Sequence, residues 1–287
     1  MKIVVTGTRG IPGIQGGVET HCQELYPLIA DEQHEIIVIR RPNYAVERSV
    51  QIYKQVAIKD ISAPRSKHLE AFVHTFKAVI YARKVKADIV HIHAVGPALM
   101  TPVARLLGMK VVITHHGPDY DRDKWGRFAK WILCMGERAG VYYANHIIVI
   151  SEHIRQIIYH QYSAKRNVTL IHNGVNVPTR VIGTEYLESL DLTEYGYVLA
   201  VGRFVKEKNL DQLVEAFTQL SSPSMKLVIA GDADFQDEYA QKLKEVCWKQ
   251  KNICLTGFIK GDKLAQLYTY AKVFVLPSTH EGLPIAL

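Results

Sequence analysis

Residues 2–20 read KIVVTGTRGIPGIQGGVET. A short apolar run ends in a loop with glycines at 7, 10, 13, 16 and 17, and the helical pattern GVETHCQELYPLIA follows at 17–30. A strand feeding a glycine-rich loop and then a helix is the opening unit of a doubly wound α/β sheet. Backbone N–H groups at such a helix N-terminus can face an anion. Five glycines exceed what a tight turn needs, so the loop reads as a ligand site. It is not a dinucleotide site: the spacing departs from G-x-G-x-x-G. The next strand, HEIIVIR, ends in Arg40 and Arg41 instead of the acidic residue that holds a ribose.

Outward from this unit, strand-like runs alternate with helical patterns: DIVHIH at 88–93, PALMTPVARLLG at 97–108, KVVITHHG at 110–117, a helical pattern from Lys124 to Ala144, and HIIVIS at 146–151. This rhythm predicts parallel strands joined by crossover helices. It breaks at LIHNGVNVP, where Asn173-Gly174 and Pro178 are turn chemistry, and the stretch to Tyr195 is polar and weakly periodic. The alternation then resumes with YVLAVGR, LDQLVEAFTQL, KLVIAG, DEYAQKLKEVCWKQ, ICLTG, DKLAQLYTYA and VFVLPS. The expectation is two Rossmann-like domains, 1–175 and 196–287, joined by a linker at 176–195. The second would lack the elements that follow its last strand.

The 287 residues suit two domains, and 48% hydrophobic with 22% charged residues is a soluble globular balance. No apolar run is long enough to span a bilayer. Cys22, Cys134, Cys247 and Cys254 have no metal-ligand spacing and read as reduced core thiols of a cytoplasmic protein. Residues 1–175 carry 23 Lys and Arg against 14 Asp and Glu, a net of +9, whereas 176–287 carry 12 against 14, a net of −2. The basic half therefore suits an anionic partner. By charge alone this is a phosphate-bearing acceptor, an anionic membrane surface or nucleic acid, with a solvated basic surface as the bland alternative.

The chemistry-bearing residues gather at expected strand ends, where open α/β sheets bind ligands. His116, before Gly117, can be a hydrogen-bond donor or a proton carrier. His91 and His93 share a strand face and read as packing or support. Asp119, Asp121 and Asp123 read as a solvated loop, and Asp232 with Asp234 as turn chemistry. In VGRFVKEKNL, Arg203 and Lys208 stand five apart on a strand-to-helix loop, a guanidinium and an ammonium suited to a diphosphate. In PSTHEGLP, Glu281 precedes Gly282 at an expected helix start, where a carboxylate meets the helix dipole or accepts from ligand hydroxyls.

In this order GGVET, THHG, IHNGVNV, VGRFVKEKNL and PSTHEGLP resemble the retaining family 4 glycosyltransferases of GT-B fold. The stretches GTRGIPGIQGGVET and GPDYDRDKWGRFAKW resemble a bacterial subgroup that builds surface polysaccharides, rhamnosyltransferases among them. The resemblance implies two Rossmann-like domains facing a cleft and a nucleotide-diphosphate sugar donor, with no metal or other cofactor. It implies a glycan or lipid-diphosphate-linked acceptor, peripheral contact with the inner face of the cell membrane through the basic domain, and no nucleic acid. It assigns Arg203 and Lys208 to the donor diphosphate. Glu281 and the Gly282 and Leu283 amides go to the sugar, His116 to the reacting sugar, and Gly16 and Gly17 to the phosphates and acceptor. The family carries a second glutamate eight positions after the first, so the expected chain is cut inside the donor motif. An inactive binding fragment and a GT-B sugar-nucleotide epimerase are the competing expectations.

Overall fold

The computed structural model describes residues 1–64, 69–121, 125–162, 167–174, 181–220, 224–233, 237–279 and 281–284. Of the positions singled out above, Asp123, Lys124, Asp234, His280 and 175–180 of the junction lie outside the described residues. The chain forms two units, Met1–Gly174 with Gly282–Ile285, and Val175–Glu281 with Ala286–Leu287.

The first unit is built on an eight-stranded sheet, with spatial order β3-β4-β2-β1-β5-β6-β7-β8. Its strands are β1 (Lys2–Thr6), β2 (Glu35–Arg40), β3 (Ile52–Tyr53), β4 (Val56–Asp60), β5 (Ile89–His93), β6 (Lys110–His115), β7 (His146–Val149) and β8 (Val168–Leu170). All pairings are parallel except β3 with β4. Helices α1 (Gly17–Ile29), α2 (Glu70–Lys84), α3 (Thr101–Leu106), α4 (Arg127–Tyr143) and α5 (Glu152–Tyr162) supply the crossovers. A parallel sheet covered on both faces needs strands apolar on both faces, which is why β1 and β2 read as unbroken runs. Val4 and Ile39 pack with Val79, Ala82, Val90 and Val111 in one cluster, whereas Val5 and Val38 pack with Cys22 and Tyr26 in another. Each such fully buried Val or Ile contributes roughly 1.5–3 kcal/mol.

Two features depart from the sequence reading. The stretch at 51–60 forms the β3–β4 hairpin, whose turn has Lys54 at φ 44° and Gln55 at φ 70°. Two-residue hairpin turns with positive φ normally carry Asn or Gly, so Lys-Gln gives no local signal. Arg40, which enters the sequence argument only against a dinucleotide, clamps β2 to β4. Its Nε donates to Asp60 Oδ1 at 2.7 Å and its Nη2 to Oδ2 at 2.9 Å.

The second unit has a four-stranded parallel sheet of order β11-β10-β9-β12. Its elements are α6 (Glu185–Ser189), β9 (Tyr197–Val201), α7 (Leu210–Thr218), β10 (Lys226–Ala230), α8 (Glu238–Trp248), β11 (Ile253–Gly257), α9 (Asp262–Tyr270) and β12 (Val273–Phe274). The expected linker 176–195 is corrected over its described residues, 181–195. Leu187 and Leu192 are buried with Tyr197, Leu199, Leu267 and Tyr270, so the part around α6 belongs to the second core. Its helix spans five residues and shows one buried leucine, too few for a periodic pattern to register. The cysteines are all free, and Cys134, on α4, is exposed instead of buried in the core.

Candidate active site

The first unit gathers its polar side chains at the C-terminal ends of β1, β5 and β6. Here strand order reverses, since β1 lies between β2 and β5, and such switch points open toward ligands. Gly7 makes the approach possible: its φ is +94°, and a Cβ there would lie 2.2 Å from the His93 carbonyl oxygen. The glycine-rich loop, however, already holds an anion of its own. Glu19 Oε1 accepts from Arg9 N–H at 3.0 Å, and the carboxylate folds against Gly16, where a Cβ would meet Oε2 at 2.0 Å. Gly13 N–H donates to Gln23 Oε1 at 2.7 Å and Gly10 N–H to Thr8 Oγ1 at 2.9 Å. The N–H groups of Arg9, Gly10 and Gly13 are therefore committed internally. Gly17 opens α1 and is exposed.

His91 and His93 are support, and the structure shows what they support. Tyr26 Oη lies 2.9 Å from His91 Nδ1 and 2.6 Å from His93 Nε2. His91 Nε2 reaches Thr114 Oγ1 at 2.8 Å, and His93 Nδ1 reaches His116 Nε2 at 2.9 Å. His91, His93 and His116 form a ladder of stacked rings, with His21 against the last two. Burial disfavours charge on every one of them. His91 is lowered to about 3 by burial and by His21. His93 and His116 fall well below the usual histidine range, through burial first and then their neighbouring imidazoles. Near neutral pH these rings are uncharged, so His116 offers a hydrogen bond and not a mobile proton.

The neighbouring His115 is held by a buried carboxylate. Glu137 accepts from His115 Nε2 at 2.6 Å, from Tyr162 Oη at 2.5 Å, and from Tyr120 Oη at 3.2 Å. Gly117 N–H donates to His115 Nδ1 at 3.1 Å, which leaves the His115 proton on Nε2. His115, His116 and Gly117 are thus fixed in turn. Tyr26, Glu137 and Tyr162 were not found by sequence reasoning. The one available signal was Glu137, a lone acid in the helical run ILCMGERAGV. Gly282 packs against the His116 carbonyl, with space for no side chain, and the Leu283 carbonyl accepts from Asn173 Nδ2 at 3.1 Å.

In the second unit the loop after β9 is shaped by two glycines. Gly231, at φ +137°, would place a Cβ 1.9 Å from the Gly202 carbonyl oxygen. Arg203 follows Gly202, a single 3₁₀ turn spans Lys206–Lys208, and Asn209 adopts a left-handed conformation at φ 47° before α7. The segment after β12 is tied to this loop: Asn209 Nδ2 donates to the Pro277 carbonyl at 3.1 Å, and Thr279 N–H to the Glu207 carbonyl at 3.1 Å. The two segments meet in an ion pair, with Lys208 Nζ donating to Glu281 Oε1. Lys208 and Glu281 are therefore brought together, with Arg203 on the same loop as Lys208. Asp232 serves a turn, accepting from Ala233 N–H at 2.7 Å and pairing with Lys244 at 2.6 Å. Among the described residues no three His, Cys, Asp or Glu side chains gather as a metal site.

The chain has relatives among known proteins. Residues 185–287 match the glycosyl transferases group 1 family, and residues 15–178, more than half the chain, match Glycosyltransferase Family 4. A glycosyltransferase of Methanocaldococcus jannaschii is 26% identical over 98% of this chain and 75% of its own length. The UDP-Gal:alpha-D-GlcNAc-diphosphoundecaprenol alpha-1,3-galactosyltransferase of Escherichia coli is 24% identical over 100% of this chain and 76% of its own length. Among solved structures, sucrose-phosphate synthase from Thermosynechococcus elongatus superposes with a TM-score of 0.79 at 20% identity, covering 99% of this chain and 77% of that one. Anabaena HepE in complex with UDP-glucose does so with 0.76 at 15% identity, covering 98% and 75%. With its two parallel α/β units and these matches, the chain has the GT-B fold and belongs to Glycosyltransferase Family 4.

Proposed function

We propose that the chain transfers a sugar from a nucleotide-diphosphate donor to a glycan or lipid-diphosphate-linked acceptor, with retention at the anomeric carbon and without a metal. The carrying observation is the Lys208–Glu281 pair, with Arg203 on the same loop as Lys208. In this reading Arg203 and Lys208 take the diphosphate and stabilise the charge that grows on it as the C1–O bond breaks. Glu281 turns to accept from the sugar hydroxyls, with the Gly282 and Leu283 amides beside it. The acceptor oxygen bonds to C1, and its proton leaves with the diphosphate. His116 donates to the reacting sugar, and Gly16 and Gly17 border the phosphates and acceptor. The Escherichia coli relative, whose acceptor is a diphosphoundecaprenol, supports a lipid-linked acceptor. The bacterial polysaccharide subgroup, the rhamnosyl or hexosyl identity of the sugar and a cytoplasmic site of action belong to the same proposal.

Contact with an anionic bilayer has a physical candidate. On α4, Phe128, Trp131 and Met135 are exposed, and Arg127, Lys130 and Arg138 share the helix. Aromatic and basic residues on one helix suit the interface plane of a membrane. The basic segment 54–86 is less suited, because α2 buries His74, Ala78, Val79 and Ala82. No helix among the described residues is long and apolar enough to cross a membrane.

Calorimetry with UDP, GDP, ADP and dTDP, followed by turnover with the sugar of whichever base binds, tests the function. Binding of one base is expected, and Arg203→Ala should weaken it roughly 30- to 1,000-fold, about 2–4 kcal/mol for a lost charge-assisted contact. If none of the four binds, the donor reading fails. Binding without transfer to an acceptor would leave a nucleotide-binding but inactive chain.

A further inference from the structure

The five groups Thr114, His91, Tyr26, His93 and His116 form one line of hydrogen bonds, 2.8, 2.9, 2.6 and 2.9 Å long in that order, with the Cys22 sulfur a longer side contact at 3.7 Å from His93 Nε2. A neutral imidazole has one donor nitrogen and one acceptor nitrogen, and a phenol has one proton to give. With Tyr26 accepting from both imidazoles, its own proton would be stranded at a residue 1% exposed. When Tyr26 spends its proton within the line, the direction of one bond sets every other, and two states are left.

In one state Thr114 donates to His91 Nε2, His91 Nδ1–H to Tyr26, Tyr26 to His93 Nε2, and His93 Nδ1–H to His116 Nε2. His116 then carries its own proton on Nδ1. In the other state every arrow reverses, and His116 Nδ1 is a bare acceptor. The buried end of the line decides between them. Thr114 is 1% exposed, and His91 is the side-chain partner of its hydroxyl. Reversal would make that hydroxyl accept from His91 and leave its own proton without an acceptor, and a buried orphan donor costs about 1–3 kcal/mol. The forward state leaves only a spare lone pair, which is cheaper.

We infer that Thr114, acting through His91, Tyr26 and His93, fixes His116 as the Nδ1–H tautomer, a neutral hydrogen-bond donor to an oxygen of the substrate. Thr114, His91, Tyr26 and His93 are positioning residues for that donor. The consequence for the chemistry rests on the proposed role of His116 at the sugar. Its Nδ1 suits a hydroxyl or phosphoryl oxygen and cannot act as the base that deprotonates an acceptor. The tautomer assignment itself does not depend on that role.

Long-range proton–nitrogen NMR of the imidazole rings in the intact, ligand-free chain tests it without any turnover. The expected pattern is Nδ1–H at His91, His93 and His116, with the opposite tautomer, Nε2–H, at His115 as an internal control. Nε2–H at His116 in the wild-type chain overturns the inference, whatever the variants do. Tyr26→Phe cuts the line in the middle, and the His116 nitrogens should then report a mixture of tautomers. Thr114→Ser keeps the terminal hydroxyl and should retain the wild-type pattern. In turnover, Tyr26→Phe should lower kcat roughly 10- to 100-fold with the donor KM little changed, as for other groups that orient a contacting residue. A His116 tautomer unmoved by Tyr26→Phe would show that the line does not set it. A wild-type tautomer pattern as expected, with no donor binding, would break the proposed function and leave this inference standing.

Discussion

The first unit buries polar chemistry, and the second keeps it near the surface. Around β1, β5 and β6 the chain encloses His91, His93, His115 and Glu137, at 0–9% exposure, and satisfies them with one another. Around β9 and β12 the candidate groups are the half-buried Arg203 and Lys208 and the exposed Glu281, on loops next to an apolar core. Buried polar networks impose one geometry because each unpaired group is costly, whereas an accessible ion pair is weak and exchangeable. The first arrangement suits a rigid wall and the second suits a ligand that must arrive and leave.

Acid should separate the two most sharply. His74 and His91 are held to about 3, and His93 and His116 well below the usual value, chiefly by burial. Their unfolded pKa is about 6.5, so below that pH the unfolded chain binds protons that the folded one refuses. The stability these neutral rings allow is present above pH 6.5 and is lost as pH falls toward 3. The slope reaches about 1.4 kcal/mol per pH unit for each ring. The only histidine after position 172 is His280. Hydrogen exchange resolved by peptide should show the first unit opening between pH 6 and 4 while the β9–β12 sheet stays protected. Simultaneous loss of both would erase the contrast.

Next in size is Glu137→Ala, which strands the donors of His115, Tyr120 and Tyr162. It should destabilise the first unit by about 3–5 kcal/mol, the range for breaking a buried pair, read as a lower denaturant midpoint. A change under 1 kcal/mol would mean that water replaces the carboxylate without cost. The smallest stability effect belongs to the other pair. Glu281→Gln should change stability by less than about 1 kcal/mol, yet bind a free nucleoside diphosphate at least as tightly as the parent chain. Weaker binding of the free diphosphate would count against the exchange of partners at Lys208.

The same contrast explains what could be read from sequence. Unbroken apolar strands with intervening helices gave both sheets, because parallel strands buried on two faces leave that signature in VVIT-like and LVIA-like runs. The β3–β4 hairpin and α6 escaped, one because its turn uses Lys54 and Gln55, the other because a five-residue helix has no period to detect. At the loops, Arg203, Lys208 and Glu281 are visible as charges beside glycines. The Tyr26–His93–His116 line was not visible, since 67 residues separate Tyr26 from His93 and only the sheet register brings them together. Nor did the glycine-rich loop reveal that Glu19, three residues beyond Gly16, would fold back over it.

One further property lies in the Lys208–Glu281 contact. Under the proposed role, a diphosphate arriving at Lys208 displaces a carboxylate, so one anion is exchanged for another. The released carboxylate then needs donors, and the hydroxyls of an attached sugar are the donors at hand. A free nucleoside diphosphate satisfies the cation and strands the carboxylate, and a free sugar does the reverse. The pair thus works as a coincidence detector that answers fully only to both halves of the donor in one molecule. It also lets the product nucleotide depart once its sugar is gone.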